Sequence, residues 1–222
     1  TYSNNWGIRR GYINVYRVQN ESVYDQKSYT LRDGLSHNYK AGADYTINSK
    51  SIIGVMVNGN SSNINRVTSS TTSIRNMAGN EPVQLLNSKS ENASDINNIN
   101  TDLNYRYTDT LNNVLSVDLF YGYYNNKGNS FQPNVYTNAE GGTDSAHYYR
   151  SITPTAISIY TATADYSGNL FKGKFETGIK SAFVNTDNVF DFYNLYGPSE
   201  SFDTSRSNKF LYKETIHAAF VN

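Results

Sequence analysis

The stretch Leu103-Asn-Tyr-Arg-Tyr-Thr-Asp-Thr-Leu-Asn-Asn-Val-Leu-Ser-Val-Asp-Leu-Phe-Tyr-Gly-Tyr-Tyr124 reads as two strands joined by a tight polar turn. Leu103, Tyr105 and Tyr107, then Leu115, Val117, Leu119, Tyr121 and Tyr123, are apolar or aromatic, while Asp102, Asn104, Arg106, Ser116, Asp118 and Gly122 fall between them. A period of two is a strand signal. In a soluble sandwich the apolar face would meet a second sheet. Here the aromatics lie toward the stripe ends and the opposite face carries full charges, which need water. A sheet with lipid on one side and a hydrated lumen on the other has this arrangement, with about 10 residues per strand and aromatic girdles at the interfaces.

Working outward, Tyr39, Ala41, Ala43, Tyr45 and Ile47 alternate with Lys40, Gly42, Asp44 and Thr46, and Asn48 to Ser51 turns the chain into Ile53, Val55 and Val57. The pair is a hairpin. A third hairpin uses Tyr160, Ala162, Ala164 and Tyr166, turns over Ser167 to Gly173, and returns with Phe175, Thr177, Ile179 and Phe183 opposite Lys174, Glu176, Gly178 and Lys180. A first strand falls within Trp6 to Arg17, its facing undecided. In a last strand Tyr212, Ile216, Ala218 and Phe220 alternate with Lys213, Thr215 and His217, and Glu214 interrupts the apolar side. Between them the reading places polar connections at Gln19 to Ser36, with Asp33-Gly34 as a turn, at Asn58 to about Asn98, at Asn125 to Thr155, and at about Asp187 to Ser207. The expected fold is therefore all-β, an antiparallel up-and-down meander of about eight strands, with short turns at one end and long loops at the other.

Composition removes several classes. The 222 residues are 37% hydrophobic, and the longest apolar run is Ile52 to Val57, so no transmembrane helix is available. Twenty Tyr and ten Phe at zero formal net charge give enough aromatic surface to order the chain. Zero Cys excludes disulfides, thiolate metal sites and cysteine nucleophiles. Balanced charge and the lack of a basic run argue against nucleic acid. The opening residues show no signal peptide and the end stops inside a strand, so the chain reads as a fragment of an exported protein.

Little catalytic chemistry is written here. The three histidines are His37, His147 and His217. Ser36-His37 lacks the second glycine of a nucleophile elbow, no His spacing suits zinc, and His217 is read as facing a lumen. Asp102, Asp118, Asp165, Glu176, Arg106 and Lys180 are read as lumen charges satisfying one another across strands rather than as acids and bases. Glu140 to Asp144 and Asp187 to Asp191 offer oxygen ligands without a calcium-loop pattern. The Tyr-rich stretches His147-Tyr-Tyr-Arg150 and Asp191-Phe-Tyr-Asn-Leu-Tyr196 could stack on a sugar or aromatic ligand or pack within a loop. No catalytic, cofactor or metal residue is assigned, and no enzyme activity is expected.

The stretches His37-Asn-Tyr-Lys-Ala-Gly-Ala-Asp-Tyr45, Asn104-Tyr-Arg-Tyr-Thr-Asp109, Ile159-Tyr-Thr-Ala-Thr-Ala-Asp-Tyr166, Thr186-Asp-Asn-Val-Phe-Asp-Phe192 and Arg206-Ser-Asn-Lys-Phe-Leu-Tyr-Lys-Glu214 resemble the barrel portion of TonB-dependent-receptor-like outer-membrane proteins. The resemblance implies that residues 1–222 are one partial outer-membrane β-barrel domain of a Gram-negative bacterium, taking part in solute uptake. It also implies as partners the outer-membrane lipid, the remaining strands and plug of the same protein, and the TonB energy-coupling system. No plug is recognisable in these residues, and the small-molecule or glycan ligand is not indicated. The competing expectation is a soluble extracellular β-sandwich that binds glycans.

Overall fold

The computed structural model describes residues 1–79, 81–170 and 173–222, and every regular element among them is a strand. In chain order they are β1 (Tyr2–Gln19), β2 (Ser22–Asn48), β3 (Ser51–Asn76), β4 (Gln84–Thr108), β5 (Val114–Asn138), β6 (Thr143–Leu170), β7 (Gly173–Tyr196), β8 (Ser199–Phe202) and β9 (Asn208–Val221). Each pairs antiparallel with its neighbour in sequence, from β1 through β7. Both β8 and β9 then pair with β7, at Tyr193–Tyr196 and Thr177–Phe190 respectively. They are one strand interrupted by Asp203–Ser207, so the sheet is eight positions wide.

Which side each residue faces follows from the register, since directly paired residues share a face. Val117 pairs with Tyr105 and Ala164, Tyr105 with Ile53, Ile53 with Tyr45, and Ala164 with Ile179. One apolar band thus crosses six strands on a single face. Tyr39, Tyr121 and Tyr160 border it on one side, and Tyr45, Tyr107 and Tyr166 on the other. Ten residues at about 3.3 Å each, tilted by about 40°, rise about 25 Å, the height of a barrel's lipid-facing belt. The Tyr39 ring lies across Gly59, where any side chain would collide with it, and its hydroxyl donates to the Asn98 carbonyl at 3.3 Å.

Among the described residues no second layer covers this band. Val23 and Ala182 are the only buried hydrophobic residues among those described, and Tyr45, Leu119, Tyr160, Ile179 and Phe183 are exposed. A compact monomer of this size would present about 10,000 Å² to solvent, whereas this sheet presents 14741 Å². A sandwich would have hidden that surplus, so the apolar band requires lipid in place of water. Above the band the opposite face is the more sheltered one. Ser62 and Ile64, Ser94 and Ile96, and Gly128 and Ser130 are half-buried or buried, while their neighbours Ser61, Asn63, Asp95, Asn97 and Asn129 are exposed. The wall is therefore concave toward the face that carries Asp102, Asp118 and Lys180.

The structure corrects the expected long loops. Asp33-Gly34 is no turn: β2 runs straight through it, and Gly34 pairs with Gly7 and Ile64. Likewise β3 and β4 pair without interruption from Ser51–Tyr107 to Ile74–Gln84, and β5 and β6 extend to a tip at 139–142. Residues 187–196 belong to β7. Strands of 24 to 28 residues are well over twice what a membrane needs. Beyond the band both faces meet water, so the contrast that creates a period-two pattern vanishes while the backbone ladder continues. The expected turns at Asn48 to Ser51 and Thr108 to Asn113 are present at one end of the sheet, and the hairpins project from the other. The turn expected over Ser167 to Gly173 includes residues 171 and 172, which lie outside the described residues, as does residue 80 within the former 58–98 loop.

A second correction concerns β9. Phe220 pairs with Gly178, Ile216 with Ala182 and Glu214 with Val184, which sets these residues on the concave face. His217 pairs with Ser181 and accompanies Ile179 and Phe183 on the band face, not the lumen face. The cause is local: the Phe220 ring occupies the space over Gly178, and the Thr177 hydroxyl donates to the Phe220 carbonyl at 2.8 Å. Glu214, in line with the apolar residues, was the sequence's own sign that this stripe faces water.

Candidate functional site: an aromatic platform at the mouth

High on the concave face, alternate residues of three strands and one bulge build a single aromatic surface. β6 contributes His147 and Tyr149, whose rings are parallel within 4° at 6.3 Å. From β7 come Phe192, 5.3 Å from Tyr149, and Phe190, 6.2 Å from Phe192. Tyr136 of β5 stands edge-on to His147 at 6.3 Å. Arg206 then lies over two of these rings, its Cζ 5.0 Å from the Phe192 centroid and 5.4 Å from that of Tyr149. Below, Phe210 and Tyr212 stack at 6.0 Å on the same face of β9.

The bulge between β8 and β9 is what places the arginine. Five residues, 203–207, stand opposite only Asp191 and Phe192, and such an insertion re-aims a side chain. Asp203 folds it: one carboxylate oxygen accepts from the Ser205 hydroxyl (2.6 Å) and from the backbone N–H groups of Ser205 (3.0 Å) and Arg206 (3.2 Å), and the other from Asn194 (3.0 Å). Those bonds, the Ser205 hydroxyl foremost and the Asn194 amide next, hold the Asp203 carboxyl below the usual carboxylate range. Arg206 Nε is 3.6 Å from Asp203, and the Ser207 hydroxyl accepts from the Phe192 N–H at 2.9 Å. Such a surface can stack on a flat ring and hold it beneath a cation.

Strand alternation divides the two Tyr-rich stretches. His147, Tyr149 and Phe192 enter the platform, while Arg150 and Tyr193 face the other way, where Arg150 lies 4.9 Å over Tyr193 and pairs with Glu200. Arg206, Phe190 and Tyr136 were not foreseen. Only Asp203-Thr-Ser, an Asx-turn signal, hinted at the bulge.

The remaining candidates separate. Ser36 joins a network with Ser62 and Asn60 on the concave face, while His37 sits on the other face, its Nδ1 2.6 Å from the Tyr2 hydroxyl. His217 is 3.0 Å from the Ser181 hydroxyl. The six band charges Asp102, Asp118, Asp165, Glu176, Arg106 and Lys180 do share the concave face. They do not pair directly, however. The four ion pairs among the described residues are Lys89–Glu91, Arg150–Glu200, Arg206–Asp203 and Lys209–Asp187. Asp118 faces Asn104 and Thr163, and Arg106 faces Ser116, so amides and hydroxyls separate the charges. Glu140 lies in the β5–β6 turn capped by Asn138, Asp144 accepts from Gln84 at 3.0 Å, and Asp191 is on a strand.

No curated protein matches the chain. Residues 106–222, more than half of its length, match the model of the outer membrane protein beta-barrel family. That span runs from the end of β4 through β5, the platform and β9, and the match agrees with the one-layer wall and its belt. The chain belongs to the outer membrane protein beta-barrel family.

Proposed function

We propose that this wall is part of a TonB-dependent uptake barrel of a Gram-negative outer membrane, and that the aromatic platform meets the solute as it enters. The platform carries the reading. An aromatic surface with a stacked guanidinium, turned inward on hairpins well clear of the membrane, suits capture of a solute from the medium. Among the described residues neither edge of the sheet has a partner, and lipid does not tolerate an unpaired edge. Closure therefore calls for further strands.

The test begins with solute depletion from the medium by a strain lacking the gene and by its complemented parent. We expect at least one solute to be taken up only by the parent. A protonophore should abolish that uptake, and Tyr149→Ala with Phe192→Ala should reduce it at least ten-fold. Uptake that persists under protonophore would replace this reading with a passive channel. Identical depletion by both strains would end it.

A further inference from the structure

Three arginines far apart in sequence stand abreast on the luminal face. Arg9 of β1 pairs directly with Arg32 of β2, and Arg32 with Arg66 of β3. Neighbouring strands are about 4.8 Å apart, so three like charges fall within about 10 Å. Side-by-side like charges destabilise a sheet. Nothing nearby offsets them: none of the three takes part in the ion pairs among the described residues. The adjacent Asp33 is on the opposite face, where it accepts from Asn65 at 3.4 Å. On the luminal face of β1 to β5 the carboxylates are Asp44, Asp102 and Asp118, all in the band, about 30 Å or more down the strands.

A depression adjoins this row. Gly7 and Gly34 are paired one step below Arg9 and Arg32, and their missing side chains leave a pocket of about 250 Å³. Arg9 and Arg32 line it, with Asn5 and Ser36 offering an amide and a hydroxyl donor. The Ser62 hydroxyl donates to Ser36 at 2.8 Å, which orders that rim. Trp6, Leu35 and Ile64 complete the lining, and a pocket whose polar groups are cations and neutral donors, without a carboxylate, suits an anion.

We propose that Arg9, Arg32 and Arg66 with this pocket form a luminal binding site for a linear polyanion, a solute carrying two or more carboxylate, phosphate or sulfate groups about 5 to 10 Å apart. One anionic group sits in the pocket between Arg9 and Arg32, and the next meets Arg66. The row is also the register row of Phe192, so the site lies at the height of the aromatic platform, four strands away from Arg66. The proposal rests on the luminal facing of this wall, and its test reads binding rather than transport.

The experiment is calorimetric titration of the full-length barrel in lipid nanodiscs with trigalacturonate, its neutral parent galactotriose, and tripolyphosphate. At least one polyanion should bind, weakening at least ten-fold between low and physiological salt, while galactotriose should not. Trigalacturonate alone would identify a carboxylate ligand, tripolyphosphate alone a phosphate ligand, and either supports the site. Arg32→Gln should lower polyanion affinity at least ten-fold and raise the melting temperature of the anion-free protein. A merely structural arginine would give the opposite temperature shift. No binding by either polyanion, or affinity unchanged in Arg32→Gln and Arg66→Gln, overturns the proposal. The chain has no cysteine, so Asp118→Cys and Val117→Cys each add one thiol to it within the belt, where only a luminal thiol meets a membrane-impermeant reagent. Labelling at Asp118 and not at Val117, without polyanion binding, would refute the site while leaving the luminal facing intact.

Discussion

Val117 and Asp118 are adjacent in β5, and the register sends them into different solvents. Val117 lies between Tyr105 and Ala164 on the lipid face, a few ångströms from the middle of the belt, and Asp118 lies between Asn104 and Thr163 on the luminal face. An arginine on the lipid face near the midplane costs about 2 to 4 kcal/mol. At Asp118 the change removes no ion pair, and it adds a cation on the face that also carries Arg106 and Lys180, a like-charge term of about 0.2 to 1 kcal/mol. Val117→Arg should therefore destabilise the barrel by about 1 to 3 kcal/mol more than Asp118→Arg. With a urea dependence of about 1 to 3 kcal/mol per molar, the two midpoints should separate by on the order of 1 M. Urea unfolding of the full barrel in bilayers reads this. Equal midpoints, or a lower one for Asp118→Arg, would show the facing of the central hairpin to be reversed.

Protease added to intact cells should cut at the tips near Glu81 and Glu140 and spare the turns at Lys50 and Leu111; cleavage at the latter would invert the orientation. Asn20 and Glu21 close the β1–β2 hairpin with φ of 49° and 60°, a turn that favours Asn-Gly. Glu21→Gly should accordingly raise stability by about 0.5 to 1 kcal/mol in the same titration, and a loss would contradict that geometry. Asp109 caps the β4–β5 turn through Leu111 N–H (2.7 Å), Asn113 N–H (2.9 Å) and the Asn113 amide (2.7 Å), and the Asn113 side chain leads in lowering its pKa. A carboxyl depressed in the folded state contributes stability that is present above its unfolded pKa of about 3.9 and lost as pH falls through the lower folded value. Wild type should thus lose stability relative to Asp109→Asn below about pH 4, and parallel pH profiles would refute the cap.

Legibility in the sequence stopped where the second solvent stopped. Within the belt, Tyr39 to Ile47 and Leu115 to Tyr123 alternate because lipid and water select different side chains, and those strands, their turns and their facing could be read directly. Above it, Ser61 and Ser62 occupy opposite faces with the same chemistry, so the paired upper lengths of β3 and β4 looked like loop. Tyr149 and Phe192 were legible as residue types, but their meeting depends on the pairing of β6 with β7, and Arg206 depends on a bulge. Arg9, Arg32 and Arg66 were invisible for a related reason: 23 and 34 residues separate them along the chain, and only the register brings them abreast.

The polar hairpins have a further consequence for how the length of the chain can vary. Because Asn, Ser and Thr recur on both of their faces, their own pairing barely distinguishes one register from another, and the register is inherited from the belt and turns below. Removing two residues from each arm of a hairpin would lower its tip by about 7 Å and keep every remaining side chain on its original face. Deleting one residue from a single arm would rotate everything above it by half a period, carrying a residue such as Arg32 or Phe192 to the outside. The height of the mouth above the membrane is thus free to change in steps of two residues per arm, independently of the belt that anchors it.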